Sequence, residues 1–465
     1  MLLLVLFACS PEVGDPGEVA TTSSPTSSSP TDPSDTDTDG TTDTDDTTDT
    51  DTADTPPGDG VTWQRDIRPI MDGHCIECHA DGAIAPFSFE DWETVSIMAP
   101  SIVGSVEAGT MPPYQFDEDC QPTASHLPLD DEEQALFTAW ADDGYIEGDE
   151  ADYVPDPVEV AELPPFDIEF RPVEPFEVDL TRPDFYRCMV SDTVFEEDTW
   201  ITGTDALIDN PEFVHHLLYY TVPAAQADTL QAMDDADPGP GIACYDDWSF
   251  WMTPGLESIG GWAPGNDPHY QDPDGEERVG AFLVRAGSLV IIEGHFNSIA
   301  TEDVAATDSS GFGAWTLPKG ENPDDIHFVW QAADWNLNIP AGAEAHVEGA
   351  STTVPFDAEI VSANAHMHLL GTRMESTITR SDGSTVCTTR VEPYDFDWQW
   401  NYRFAEPVAV QAGDVIDMTC TYDNTAANQP IIDGEQQEPR DVHYGDGTTD
   451  EMCINYFVMS VPYEP

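Results

Sequence analysis

Six side chains that could bind a transition metal lie in order along the second half of this 465-residue sequence. They are His215, His216, His295, His366, His368 and Met452. Imidazole suits copper or zinc, whereas a thioether is a soft donor that favours Cu(I). The order predicts two metal sites with three ligands each, and the methionine indicates that the second is a redox copper site.

The spacing of the histidines favours joint ligation in one pair more than in the other. His366 and His368 flank Met367, and in a strand they would project from the same face and could share one ion. His215 and His216 are adjacent, so a regular strand would separate them, and joint ligation requires a bulge or a strand end. A histidine by itself is more often a hydrogen-bonded core or surface residue, and a lone methionine is core. The joint pattern is what favours metal binding.

The segments that carry these ligands resemble the type II copper, ascorbate-dependent monooxygenases. The matching segments are Val214–Leu218, Gly294–Phe296, Ala365–Gly371 and Thr449–Cys453. Their order and separations also fit, and the resemblance extends over roughly residues 165–465.

The resemblance implies a ligand set for each of two coppers. His215, His216 and His295 would hold the electron-storing copper, and His366, His368 and Met452 would form the catalytic site that binds dioxygen. It also implies two antiparallel β-sandwich, jelly-roll-like domains that face each other across a water-filled cleft. The implied reaction inserts one oxygen atom from O2 into a C–H bond of a small-molecule substrate, with two electrons supplied from outside.

Two positions depart from the peptide-amidating branch of that family. Asn364 stands where that branch has an arginine, and Ile454 stands where it has an asparagine, so the residues that help to hold a peptide carboxylate are absent. A neutral amide does not replace a bidentate guanidinium contact, which argues against peptide amidation. Tyr456 matches the family's cleft tyrosine, although plain packing explains a strand tyrosine equally well. Asn364 and Tyr456 are therefore candidate substrate-cleft residues.

A second motif lies upstream, at Cys75, Cys78 and His79. Cys-X-X-Cys-His is the attachment site of a c-type haem, in which the two thiols bind the porphyrin and the histidine ligates iron. Zinc binding is the main alternative, but no second Cys or His pair at zinc-site spacing follows nearby. The motif predicts one covalently attached haem c.

The sixth iron ligand is predicted to be Met111, which precedes two prolines about thirty residues after His79. A buried loop methionine is the alternative for this residue, and His126 or His74 could replace it as the ligand.

Residues 61–150 resemble a small all-α cytochrome c domain around this motif. An opening helix is predicted from Trp63 to Met71. A closing helix is predicted to begin at the acidic residues 130–133 and to end at Trp140, because acidic side chains suit the first turn of a helix.

The charge of the chain is far from balanced. Ninety-two acidic residues oppose 13 basic ones and give a net charge of −79, which makes nucleic acid and anionic membrane surfaces poor partners. Adaptation to salt, or solubility alone, explains such a charge. The hydrophobic content of 40% is ordinary for globular modules, and the length allows three domains.

The N-terminal part predicts export and a lipid anchor. Residues 1–9 resemble a lipoprotein signal with Cys9 as the acylated residue, although the usual basic start is missing, so the signal is atypical or the true start lies upstream. Residues 10–60 are a linker, which from residue 16 is a low-complexity run of Thr, Ser, Asp and Pro that cannot form a core. We expect an exported bacterial lipoprotein, periplasmic or at the cell surface and anchored in the outer membrane, that meets the membrane only through its lipid.

The remaining cysteines agree with an oxidising compartment, because six is an even number. They are Cys120, Cys188, Cys244, Cys387, Cys420 and Cys453. The family resemblance implies a Cys420–Cys453 disulfide, and Cys188–Cys244 is plausible within the first copper domain. A Cys120–Cys387 disulfide would have to cross between modules. Connectivity cannot be read from sequence.

These observations predict a multidomain chain. The haem domain at 61–150 would be followed by two β-sandwich copper domains at 165–315 and 316–465, since apolar runs bounded by Gly, Pro and Asp indicate strands there. The function predicted is an exported copper monooxygenase with two coppers, whose fused haem delivers electrons from an external donor. The alternative is a non-catalytic haem and copper electron-transfer protein, or a copper-binding surface lipoprotein.

Overall fold

The computed structural model describes most of the chain from residue 60 onward. The described residues are 60–76, 78–81, 85, 87–125, 128–155, 163–177, 184–210, 214–237, 239–244, 248–263, 266, 270–271, 278–297, 307–396, 398–432, 435–445 and 449–464. The predicted signal with Cys9, linker residues 10–59 and His126 lie outside them. Val61–Pro465 belong to one compact unit.

The first described segment is helical. A single π-helical turn, Trp63–Ile67, leads into α1, Arg68–His74, and is followed by α2, Trp92–Glu107, and α3, Asp131–Asp142. The predicted closing helix is present, and its N-terminus has a capping box in which Asp130 and Glu133 bond each other's backbone amides. We did not predict α2. The sequence contains its N-cap, Asp91, and apolar residues at helical spacing, but Pro100 lies inside the helix, where proline is disfavoured.

The three helices pack around one apolar cluster. Trp63, Phe137 and Trp140 are at most 2% exposed at its centre. The indole N–H of Trp140 donates to the backbone oxygen of Ile146 at 3.0 Å, so the large ring is buried without an unsatisfied donor. Cys75 packs against the same cluster, which places the Cys-X-X-Cys-His motif on its edge.

The described chain after the helical segment is mostly strand. The strands of its first half are β1 Ile168–Phe170, β2 Phe176–Glu177, β3 Asp184–Val194, β4 Thr199–Leu207, β5 Val214–Val222, β6 Glu257–Trp262, β7 Gly280–Val284, β8 Leu289–Asn297, β9 Thr307–Asp308 and β10 Gly311–Thr316. Two further helices, α4 Ala227–Ala236 and α5 Trp248–Trp251, lie between β5 and β6.

The second half continues with twelve described strands. They are β11 Asp325–Ala333, β12 Asn338–Ile339, β13 His346–Thr353, β14 Ala358–His366, β15 Gly371–Thr379, β16 Thr385–Val391, β17 Tyr402–Val410, β18 Val415–Tyr422, β19 Ile431–Ile432, β20 Glu435–Gln436, β21 Val442–His443 and β22 Ile454–Pro462.

These strands build two sandwiches that share one sheet. An eight-stranded sheet has the order β1-β10-β4-β7-β11-β22-β14-β17. The sheet β3-β8-β5-β6 packs on its first half, where the rings of Tyr219 and Phe312 stack at 3.9 Å. The sheet β13-β18-β15-β16 packs on its second half, where Asn455 donates to Ser376 at 2.9 Å. The predominantly β architecture predicted for this part of the chain is confirmed.

The two halves of the shared sheet meet at a parallel pair, β7 with β11, in a sheet whose other pairs are antiparallel. Gly280 faces Asp325 in this pair. A Cβ at Gly280 would lie 1.9 Å from His327 Nε2, so the close approach requires glycine.

A segment that we call the strap, residues 111–125, ties the helical segment to the second sandwich. Phe116 forms a β-bridge with Val391, and Thr123 forms one with Phe404. The strap is also fixed by the Cys120–Cys387 disulfide. The Cys120–Cys387 disulfide, which would have to cross between modules, is therefore formed. It connects the strap to the second sandwich and not to the first.

The other two disulfides are the ones favoured from the sequence. Cys188 is bonded to Cys244, and Cys420 is bonded to Cys453. The second of these joins β18 to the residue that follows Met452. Among the described helices, none is long and apolar enough to cross a membrane.

We predict that Cys120→Ala with Cys387→Ala releases the strap. Loss of a disulfide that closes so long a loop should lower the free energy of unfolding by about 2–5 kcal/mol. Urea unfolding measures the stability, and limited proteolysis with mass spectrometry should locate new cleavage within residues 111–125. The control, Cys188→Ala with Cys244→Ala, removes a disulfide inside the first sandwich and should leave the strap protected. Equal protection of the strap in both variants would contradict its dependence on the disulfide.

Candidate metal centres

The second predicted ligand set comes together in the second sandwich. His366 ends β14 and is paired with Ile454 of β22, so the register brings it beside Met452. His366 Nε2 lies 3.2 Å from Met452 Sδ, and the His366 and His368 rings are 5.2 Å apart and nearly perpendicular. All three side chains are at most 1% exposed. His368 lies just after the strand, so the turn of the chain, as well as strand alternation, brings the two rings together.

Each histidine of this set is held through its Nδ1 atom. His366 Nδ1 lies 2.6 Å from Gln399 Oε1, and His368 Nδ1 lies 3.1 Å from the backbone oxygen of Asp450. When Nδ1 donates to an oxygen, the ring presents the lone pair of Nε2, which is the usual arrangement of a metal-binding histidine.

The distance between the donors suits one shared ion. A nitrogen and a sulfur bound at about 2.0–2.3 Å to the same metal lie about 3–3.6 Å apart. The separation of His366 Nε2 from Met452 Sδ, 3.2 Å, falls in this range. Two imidazoles and a thioether are also a donor set that favours Cu(I). The residues present therefore fit a copper ion.

A buried carboxyl group positions both ligand segments. Glu451 is fully buried and accepts hydrogen bonds from the backbone amides of His368, Leu370 and Met452 at 2.7–3.2 Å. Burial raises the pKa of Glu451 to about 8, and the three amide donors limit the rise. We did not identify Glu451 or Gln399 from the sequence. An acidic residue beside a candidate ligand was a usable signal for Glu451, whereas nothing marked Gln399.

The first predicted set is described in part. His216 faces His295 across the β5–β8 pair, their rings are 4.9 Å apart, and both side chains are fully buried. The register shifts between Val214 and His216, which supplies the irregularity at His215 that joint ligation requires. The side chain of His215 lies outside the described residues. Tyr186 stacks on His295 at 4.1 Å and fixes that ring.

No group of three or more His, Cys, Asp or Glu side chains that could hold a metal ion forms within the described part of the chain. The second set contains only two such side chains, and its third donor is the thioether of Met452. The ligation of metal by these six residues remains a prediction.

The predicted haem motif follows α1. His79 Nδ1 lies 3.2 Å from the backbone oxygen of Phe87, and its ring stacks on Phe89 at 4.2 Å. Burial lowers the pKa of His79 and favours the neutral form that iron requires. Cys75 and Cys78 stay outside the three disulfides. These residues fit a covalently attached haem, which Cys75 and Cys78 would bind and which His79 would ligate.

The candidates for the sixth iron ligand differ in their surroundings. Met111 begins the strap, after the end of α2. His74 Nε2 lies 3.3 Å from Glu133 Oε1 of α3, and that contact makes His74 a poorer candidate than Met111.

The two candidate substrate-cleft residues line one cavity between the sandwiches. The Tyr456 ring lies 6.2 Å from the ring of His366. Asn364, two residues before His366 on β14, donates to the backbone oxygens of Gln399 and Trp400. The cavity therefore lies beside the second ligand set.

We predict a pH-dependent contribution of Glu451 to stability in the copper-free protein. Its folded pKa, about 8, lies above the ordinary value of 4.5, so the contribution is present below about pH 4.5 and is lost as pH rises through 8. A shift of this size corresponds to at most about 5 kcal/mol. Urea unfolding of wild type and Glu451→Gln from pH 5 to 9 should show wild type losing stability relative to the variant. The unfolding free energy of the exposed control Glu406→Gln should change with pH as that of wild type does. The same pH dependence in Glu451→Gln would contradict the prediction.

Comparison with known proteins finds similarity over the C-terminal part of the chain. Residues 338–462 match the family model for the copper type II ascorbate-dependent monooxygenase, C-terminal domain. Dopamine beta-hydroxylase of the dog, Canis lupus familiaris, is 28% identical over 102 residues, which are 22% of this chain and 15% of that protein. The chain thus matches only a small part of this curated relative.

Two solved structures show only a remote likeness. The infectious bursal disease virus VP2 subviral particle is 9% identical with a TM-score of 0.19, and the Gx strain of that virus is 8% identical with a TM-score of 0.17. Each likeness covers 60% of this chain and 58% of the viral chain, and neither carries an argument.

His366, His368 and Met452 all lie within the matched family segment. Residues 338–462 are therefore similar to the copper type II ascorbate-dependent monooxygenase C-terminal domain.

Proposed function

We propose that this protein is a copper-dependent monooxygenase that inserts one oxygen atom from O2 into a C–H bond of a small-molecule substrate. The single observation that carries the proposal is the approach of His366 Nε2 to Met452 Sδ, 3.2 Å, inside the segment that matches the monooxygenase family. Dopamine beta-hydroxylase, which matches 102 residues of this chain, supports the same class of reaction.

The chain's own residues have defined tasks in this proposal. His366, His368 and Met452 would hold one copper, which would supply one-electron redox chemistry with O2. Gln399 orients the His366 ring, and Glu451 fixes the backbone on both sides of the site. These side chains are at most 2% exposed, which shields them from bulk water. His215, His216 and His295 would hold the second copper, which would supply electron storage.

The helical segment supplies electrons in the proposed mechanism. Cys75, Cys78 and His79 would hold one haem c, with Met111 as the sixth ligand, and an external donor would reduce it. Support comes from the strap, since Tyr114 lies against Trp400 with ring centroids 6.1 Å apart. Trp400 is adjacent to Gln399, whose side chain contacts His366. A short packed route therefore leads from the residues after Met111 to the second ligand set.

Export as a lipoprotein anchored through Cys9 is part of the proposal. The three disulfides support an oxidising compartment, since such bonds are rare where thiols are kept reduced. The acidic linker at residues 10–60 would hold the folded unit away from the membrane surface.

The competing function is a non-catalytic haem and copper electron-transfer protein, or a copper-binding surface lipoprotein. The cavity beside His366, lined by Asn364 and Tyr456, favours the monooxygenase, because electron transfer alone needs no substrate cavity. Metal and haem analysis, followed by a screen for hydroxylated products under 18O2, tests the proposal. Two coppers, one haem and a labelled product are expected, and a loaded protein that labels no compound would support the competing function.

We predict that His366→Ala and Met452→His each lower oxygen insertion by about 100-fold or more. Mutation of residues that only hydrogen-bond to metal ligands lowers metal affinity or activity by about 10–100-fold, and His366 and Met452 are the ligands themselves. Product formation under 18O2 and the haem absorption spectrum are measured together, and the spectrum should be unchanged. His346→Ala, a partly buried histidine bound to Glu348, is the control and should retain activity. Full activity in both ligand variants would refute the assignment of this site.

We predict that His215→Ala and His295→Ala each remove about one equivalent of copper, as expected for one site with three histidines. Elemental analysis of the purified variants measures the copper content, and His346→Ala should keep two equivalents. Loss of copper only in the His295 variant would mean that the adjacent pair does not ligate jointly.

A further inference from the structure

The cavity between the two sandwiches is walled by both of them. Strand β5 contributes Leu218 and Tyr220 from the first, and strands β14 and β22 contribute Asn364 and Tyr456 from the second. Apolar groups form much of the wall, and none of the described residues that line the cavity has a charged side chain. Burial raises the pKa of Tyr220 far above its usual range, so this phenol is neutral too.

Asn364 is oriented within this wall by two hydrogen bonds. Its Nδ2 donates to the backbone oxygen of Gln399 at 3.0 Å and to that of Trp400 at 2.9 Å, so both amide hydrogens are used. Exchange of the amide oxygen and nitrogen would place an acceptor against two carbonyl oxygens, and the orientation is therefore determined.

The remaining polar atom of Asn364 is a buried acceptor. The side chain is 2% exposed, and Oδ1 has no hydrogen-bond partner among the described residues. An acceptor buried without a donor costs about 1–3 kcal/mol. A ligand that offers a donor to Oδ1 would remove this cost.

The acceptor lies close to the second ligand set. Asn364 and His366 are two residues apart on one face of β14, which corresponds to about 7 Å along the strand. Gln399 joins them, because its backbone oxygen binds Asn364 and its side chain contacts His366. A substrate bound to Asn364 would therefore hold its neighbouring carbon atoms near the reacting centre.

We propose that Asn364 Oδ1 determines specificity by selecting substrates that carry a neutral hydrogen-bond donor, a hydroxyl or an amide N–H, on an otherwise apolar body. The inference rests on the proposed function and specifies its substrate class. A carboxylate is rejected, because it would be buried in an uncharged cavity facing an acceptor oxygen. An ammonium group is disfavoured at Asn364 Oδ1, because none of the described lining residues carries a carboxylate. The buried carboxyl group of Glu293, which acts on the Tyr220 hydroxyl, is not among the lining residues.

The test compares four probes that share a phenyl group and differ in the attached group: 2-phenylethanol, ethylbenzene, phenylacetate and 2-phenylethylamine. Calorimetric titration of the full-length protein measures their dissociation constants. We expect 2-phenylethanol to bind roughly fivefold more tightly than ethylbenzene, the value of one net hydrogen bond, and the two charged probes to bind more weakly than either.

Three variants separate the role of Asn364 from general damage. Asn364→Ala should abolish the preference for the alcohol, so that 2-phenylethanol and ethylbenzene have about the same dissociation constant. Asn364→Arg should reverse the charge preference, so that phenylacetate becomes the tightest probe. The matched control, Asn401→Ala, changes an exposed asparagine of the same cavity and should keep the wild-type order. Circular dichroism confirms that each variant is folded.

Several results would overturn the inference: a charged probe that binds wild type as tightly as the alcohol, an unchanged preference in folded Asn364→Ala, or no binding of the alcohol. The readout is equilibrium binding, so it is independent of turnover. Wild type that keeps the preference for the alcohol but inserts no oxygen would refute the proposed function alone. Oxygen insertion without the preference would refute only the role of Asn364.

Discussion

The pairing of β14 with β22 is the constraint on which the second metal centre depends. It places His366 opposite Ile454 and thereby brings Met452 to the histidine, although the two ligands are separated by 86 positions in the sequence. The Cys420–Cys453 disulfide secures the residue after the methionine. Glu451 then joins the two segments through backbone amides. Ligand geometry is thus a property of the sheet and of one buried carboxyl group.

The shared eight-stranded sheet has a second consequence, which is the position of the cavity. Because β7 and β11 continue one sheet from the first sandwich into the second, the walls of the two sandwiches meet beside the ligand set. The strap adds a third component to the same region. It carries the helical segment past the first sandwich and packs Tyr114 against Trp400. The strap, the second ligand set and the cavity therefore meet at the segment that contains Gln399.

The sequence analysis succeeded where the signal was local. Strand patterns predicted the β-rich region, and the acidic run at residues 130–133 predicted α3. The family resemblance implied the Cys420–Cys453 disulfide, and the Cys188–Cys244 disulfide was plausible within one domain. The sequence analysis missed α2, because Pro100 lies inside the helix, where proline argues against helix formation. The buried side chains of α2 stabilise the helix nevertheless. It left Cys120 with Cys387 open, since 267 positions separate them and only the docked strap brings them together.

By itself the sequence predicted which atoms could do the chemistry: two imidazoles together with a distant thioether, and two thiols beside a histidine. Donor type is an intrinsic property of a side chain, and short spacings restrict which donors can act together. Tertiary structure decided how those atoms are held. Gln399, Glu451 and Asn364 acquire their roles from hydrogen bonds to residues more than thirty positions away. Such contacts exist only after the strands have paired, because no local pattern records which distant backbone groups a side chain will meet.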